Sequence, residues 1–139
     1  MTIPSGKQTV LIIDDDKDFK DIIALKLTRA GFDVTKADNG KQGLEKLKAS
    51  QPDIVLLDMS MPEMDGAETL WHIRHDLGLT QLPVVFLTSY GENHLDLRSL
   101  DAKYAQESGA DGYIKKTDDL DIVLKQIRSI IFTKKTHTV

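Results

Sequence analysis

The sequence contains no cysteine, which excludes a disulfide framework, thiolate chemistry and cysteine-ligated zinc. It has no excess of basic residues either. Its 18 Lys and Arg stand against 22 Asp and Glu, leaving a formal net charge of −4, so no broad basic face is available for a nucleic-acid backbone. The pair Lys134-Lys135 is too short to reverse that. No apolar run approaches the roughly 20 residues of a membrane-spanning helix, and the first seven residues carry no apolar signal-peptide core. A cytoplasmic protein with no membrane partner is expected. His72, His75, His94 and His137 show no metal-ligand spacing apart from the His72/His75 pair, which reads as exposed polar residues on one helix.

What is present is a chain of 139 residues, 40% hydrophobic and 29% charged, enough for one domain with a real core. The domain is placed at residues 8–132, with 1–7 an N-terminal tail and 133–139 a C-terminal tail or the start of a linker. Val10-Leu11-Ile12-Ile13 is too short for a helix and ends abruptly in acids, the pattern of a strand buried on both faces. From Lys17 to Ala30, Phe19, Ile22, Ile23, the Lys26 stem, Leu27 and Ala30 recur at helical spacing until Gly31 stops them. The same alternation continues: a strand over Phe32–Ala37, a helix over Lys41–Ala49, a strand over Asp53–Leu57, and a helix opening at Asp65-Gly66 with Leu70, Ile73 and Leu77 inward. Then follow a strand at Val84–Leu87, a fourth helix near His94–Ser108, a short strand at Tyr113–Lys115 and a fifth helix from about Asp118 to Phe132.

Buried strands alternating with amphipathic helices imply an α/β fold, a doubly wound five-stranded parallel sheet, because parallel neighbours must be joined by a crossover. In such sheets ligands sit beyond the carboxyl ends of the strands where strand order reverses, which for the order 2-1-3-4-5 lies between strands one and three. Those ends carry Asp14 and Asp15, Asp58, Thr88 and Lys116. Carboxylates gathered at one rim repel one another unless a cation neutralises them, and an all-oxygen set suits Mg²⁺. Metal, lysine and hydroxyl together match a carboxylate nucleophile that accepts a phosphoryl group. Each residue has an ordinary reading alone: Asp16 caps the first helix, and a single Asp, Thr or Lys is commonly a solvated surface group. Five such coincidences on one rim are improbable.

The segments Val10–Asp16, Ile54–Gly66, Pro83–Ser89 and Gly109–Lys116 resemble the receiver domains of bacterial two-component response regulators over nearly the whole chain, with a flavodoxin-like fold. The match over Asp58-Met59-Ser60-Met61-Pro62-Glu63-Met64-Asp65-Gly66 is the most specific. The resemblance implies that Asp58 is the phosphorylated nucleophile and that Asp15, Asp58 and the Ser60 carbonyl hold Mg²⁺, with Asp14 acting through water. It implies that Lys116 pairs with the phosphoryl oxygens and that Thr88 and Tyr113 form the switch. A histidine kinase or histidine phosphotransfer domain would be the donor, docking near the first helix. The fourth helix, fifth strand and fifth helix would carry the output to a partner or downstream domain not identified by the sequence. Such a protein is a signalling phosphoacceptor rather than an enzyme, with only self-phosphorylation and self-dephosphorylation.

The chain departs from the family pattern at Thr117, where proline usually follows the lysine. It is also longer between Thr88 and Lys116 by roughly one to two helical turns, within residues 91–103. Symmetric pairing through the output face is therefore not expected, and the unphosphorylated protein is expected to be a monomer. Trp71, Ile122 and Phe132 lie off the inward stripes and are expected at the surface. Tyr90 and Ser60 flank the route of attacking water. A haloacid-dehalogenase-like phosphatase would need a threonine that Asp14-Asp15-Asp16-Lys17-Asp18 lacks, and a flavin phosphate would be repelled by those acids. The remaining alternative is a receiver-fold interaction module that works without phosphorylation.

Overall fold

The computed structural model describes residues 6–89 and 109–137. Within them β1 (Thr9–Ile13), α1 (Lys17–Arg29), β2 (Asp33–Ala37), α2 (Gly40–Ala49), β3 (Ile54–Asp58) and α3 (Gly66–His75) alternate, followed by β4 (Val84–Thr88), β5 (Gly112–Lys115) and α4 (Leu120–His137). The expected helix near His94–Ser108, the lengthened segment and Tyr90 lie outside the described residues. The strands form one parallel sheet in the order β2-β1-β3-β4-β5, as the strand pattern implies.

Successive strand residues point to opposite faces, and here both faces are covered. Val10, Ile12, Ile54, Leu56, Val85, Leu87 and Ile114 pack with Ile23 and Leu27 of α1 and Val123, Ile127 and Ile131 of α4. On the opposite face Leu11, Ile13, Val55, Leu57, Val84 and Phe86 pack with Leu47, Leu70 and Ile73 of α2 and α3. This two-sided burial is why β1, β3 and β4 read as unbroken apolar runs rather than as alternating ones. The register pairs Ile13 with Leu57, Asp58 with Leu87 and Thr88 with Lys115, so the polar residues that end these strands share one rim.

Three helices start on side-chain caps: Asp16 accepts from Phe19 N, Asn39 from Gln42 N and Asp65 from Glu68 N. The Asp16 and Asp65 caps are those expected from the sequence. Gly31, at φ 101°, terminates α1 in the left-handed region. Two helical expectations need correction. Ile22 is 55% exposed, because the buried stripe of α1 is Lys20, Ile23, Ala24 and Leu27; one residue off that stripe is a rotation of about 100°. The last helix also continues beyond Phe132 to His137.

One glycine is required by a close approach. A Cβ on Gly66 would lie 2.5 Å from the Asp58 carbonyl oxygen and 2.8 Å from Met59 Cα, and Gly66 N donates to Met59 O at 2.9 Å. The start of α3 is thus pressed against the end of β3, where backbone cannot yield. Gly66→Ala is expected to lower the urea midpoint by an amount equivalent to about 1–3 kcal/mol; an unchanged midpoint would show that the two backbones can separate freely.

Candidate functional site

Asp14 is 0% exposed and Asp58 2% exposed at the adjoining ends of β1 and β3, while Asp15 faces solvent. One carboxylate oxygen from each of the three lies within 4.8 Å of the others. Asp14 Oδ1 accepts from Asp16 N at 2.9 Å and Asp58 Oδ1 from Ser60 N at 3.2 Å. The inner oxygens share one cation: Lys116 Nζ is 2.7 Å from Asp14 Oδ2 and 3.4 Å from Asp58 Oδ2. Asp14 Oδ2 is thus a buried oxygen held by this ion pair with no further hydrogen-bond partner. Lys116 N donates to Thr88 O at 2.8 Å, which ties the lysine to the end of β4. The Lys116–Thr117 peptide is trans, as no described peptide bond is cis, and Lys116 reaches both acids without the proline usual in the family.

The loop after Asp58 turns sharply. Met64 N donates to Pro62 O at 2.7 Å across Glu63, whose φ is 69°. This is a γ-turn of the strained hand, rare for a residue with a Cβ. Thr88 is buried, and Tyr113, half-buried, packs its ring 5.4 Å from that of Phe86. Asp14, Asp15, Asp58, Ser60, Thr88 and Lys116 are therefore brought to one rim, with Tyr113 two residues back along β5 from Lys115. His72 and His75 lie elsewhere, on α3, where the His75 ring stacks on exposed Trp71 and His72 contacts Asp76.

Lys20 was not singled out in the sequence. It is 3% exposed and donates to the Asp14 carbonyl and to Asp38 Oδ1, both at 2.6 Å. Its ammonium bridges the ends of β1 and β2 and fixes the backbone from which Asp14 and Asp15 project. The available signal was its place at helical spacing from Ile23, Ala24 and Leu27.

Burial, together with the nearby Asp14 carboxylate, pushes the Asp58 carboxyl up to about 8, although Lys116 and the Ser60 N–H oppose the rise. Burial draws Lys116 downward, but Asp14 and then Asp58 outweigh it and hold the ammonium above its ordinary value. One cation is too little for this much buried negative charge.

Residues 10–128 match the family model described as the response regulator receiver domain. The chain belongs to this family. It is similar to the DNA-binding dual master transcriptional regulator RpaA of Synechocystis sp., 33% identical over 122 residues that cover 88% of this chain and 48% of that protein. It is also similar to the phosphate regulon transcriptional regulatory protein PhoB of Pseudomonas aeruginosa, 32% identical over 78% of this chain and 45% of that protein. The chain thus spans about half the length of the curated relatives it matches. Among solved structures, a CheY-like receiver domain protein from Methanospirillum hungatei superposes with a TM-score of 0.76 at 29% identity, covering 93% of this chain and 98% of that one. The chemotaxis protein CheY4 of Vibrio cholerae shares the fold with a TM-score of 0.78 at 22% identity, over 90% and 99% of the two chains.

For a receiver domain the acidic rim fits a hard divalent cation. Its donors are all oxygens, Asp15 is open to solvent, and Asp14 Oδ2 is a buried oxygen lacking a hydrogen bond. Such a set suits Mg²⁺, which keeps part of its water shell. In divalent-free buffer the folded state binds a proton at Asp58 that the unfolded chain releases near 3.9. Stability from this group is complete below that value and is lost as pH rises through about 8, since the folded state binds more protons across the window. Wild type is therefore expected to lose stability relative to Asp58→Asn across that window, and the melting-temperature rise caused by Mg²⁺ should grow over it. Parallel pH profiles for the two proteins would contradict the assignment.

Proposed function

We propose that this receiver domain accepts a phosphoryl group on Asp58 from a histidine kinase or histidine phosphotransfer domain and relays the change through its surface. The observation that carries the reading is the nearly buried Asp58 carboxylate, placed beside Asp14 and within 3.4 Å of Lys116. In the transfer an Asp58 oxygen forms a P–O bond as the donor's P–N bond breaks, and the bonding pair leaves with the imidazole nitrogen. Mg²⁺ held by Asp15, Asp58 and the Ser60 carbonyl, with Asp14 through water, would supply charge neutralisation for the phosphoryl oxygens. Lys116 offsets the remaining charge, and the Thr88 hydroxyl turns to the phosphoryl group. Tyr113 moves into the space released, coupling a local charge change to a two-state surface. Hydrolysis of the acyl phosphate by water returns the carboxylate, so turnover is confined to the protein itself.

Partner docking near α1 is supported by two apolar side chains on its outer face, Ile22 and Leu25, 55% and 52% exposed. The relatives' names include DNA-binding regulators, which supports a downstream domain or partner as the output. The reading includes a cytoplasmic location and a monomer before phosphorylation, with residues 8–132 as the receiver unit.

With Mg²⁺ and acetyl phosphate, the intact mass is expected to rise by one phosphoryl group that is lost on hydrolysis, and Asp58→Ala should show no gain. Lys116→Ala should still take up phosphate but lose the amide-exchange change that follows it. Absence of any mass increase in wild type would favour the interaction module that works without phosphorylation.

A further inference from the structure

Lys116 follows the end of β5, and its main chain is held by the bond from its N–H to Thr88 O. Those constraints place its Cα, not its ammonium, which rides on a flexible four-carbon stem. Asp14 pulls at 2.7 Å and Asp58 at 3.4 Å, so the nearer acid competes for a charge that must serve the reacting one. A third group touches the same ammonium: the Phe19 ring, whose centroid is 5.0 Å from Lys116 Nζ.

We infer that Phe19 is a positioning residue that seats the Lys116 ammonium between Asp14 and Asp58 for phosphoryl acceptance. An aromatic face attracts a cation through its quadrupole without adding formal negative charge. It can hold the ammonium while leaving its charge available to an incoming phosphoryl group, which a third carboxylate could not do. The ring is itself fixed. Phe19 packs against the core cluster beneath α1, its N–H donates to the Asp16 cap at 3.1 Å, and the next residue, Lys20, is anchored to the Asp14 carbonyl. The first turn of α1 thus sets both the acidic loop and one wall of the lysine's seat. Without the ring, the stem gains alternative rotamers and water reaches the ammonium, weakening its attraction to both acids.

The inference rests on the phosphoacceptor reading, and the experiment keeps the two apart. Acetyl phosphate with Mg²⁺ is the probe, and initial rates of Asp58 phosphorylation are measured for wild type, Phe19→Leu and Phe19→Tyr, with Phe19→Met in reserve should the leucine variant melt too low. Loss of the aromatic face is expected to slow phosphorylation by about three- to tenfold, with tyrosine within about twofold of wild type. On a Lys116→Met background the same Phe19→Leu change should have no further effect, because the ring acts through the lysine. Equal rates for leucine and wild type, equal losses for leucine and tyrosine, or a full effect on the Lys116→Met background would each overturn the inference. Independently of phosphorylation, the Lys116 Cε methylene protons should be shifted upfield by the ring in wild type and lose that shift in Phe19→Leu. An unshifted resonance in wild type overturns the placement, whereas a wild type that shows the shift but takes up no phosphate counts against the phosphoacceptor reading alone.

Discussion

Two carboxylates are held out of water against one ammonium, and the surrounding architecture serves to keep them there. Asp14 and Asp58 stand at neighbouring strand ends, and Lys116 approaches both. Like charges at such range are tolerable only when shared by a cation or relieved by a proton. The upward displacement of Asp58 expresses the second route, and a divalent ion would extend the first. Removing the lysine would strand two buried negative charges, whereas removing one carboxylate leaves a matched ion pair. The rim is therefore poised to respond to added charge rather than optimised for rest.

The fold carries this arrangement through its least yielding parts. β1, β3 and β4 are buried on both faces, so the positions at which they end cannot slide without moving apolar side chains out of the core. Asp16 and Asp65 satisfy helix N-termini, leaving Asp14, Asp15 and Asp58 free for the rim. Lys20 ties the Asp14 carbonyl to Asp38, and the absence of a side chain at Gly66 lets α3 start directly against Asp58. These supports act on backbone, and through it they set where the carboxylates point.

The opposite property is found on the outer faces of the helices. Ile22, Leu25, Trp71, Ile122 and Phe132 are large apolar side chains left exposed, each just off the inward stripe of its helix. A helix has room for one buried face, and the direction of that face is chosen by the sheet it covers. Residues a third of a turn away are left for solvent or for other proteins.

Much of this was legible along the chain. Apolar runs ending in acids identify the parallel strands, because only doubly buried strands lose period-two alternation. The Ile54–Gly66 segment with Gly109–Lys116 identifies the family, and the caps at Asp16 and Asp65 follow from local hydrogen-bonding chemistry. Which chemical groups stand at the strand ends can be read from the order of residues along the chain. That Ile22 faces out while Lys20 faces in, that Lys116 lies nearer Asp14 than Asp58, and that the Phe19 ring backs that lysine follow from the packed molecule alone. Helical periodicity leaves the rotation of α1 open by a residue, and distances between groups brought together from three strands and a helix depend on how those elements pack. That packing is a property of the whole core, and no local stretch of sequence contains it.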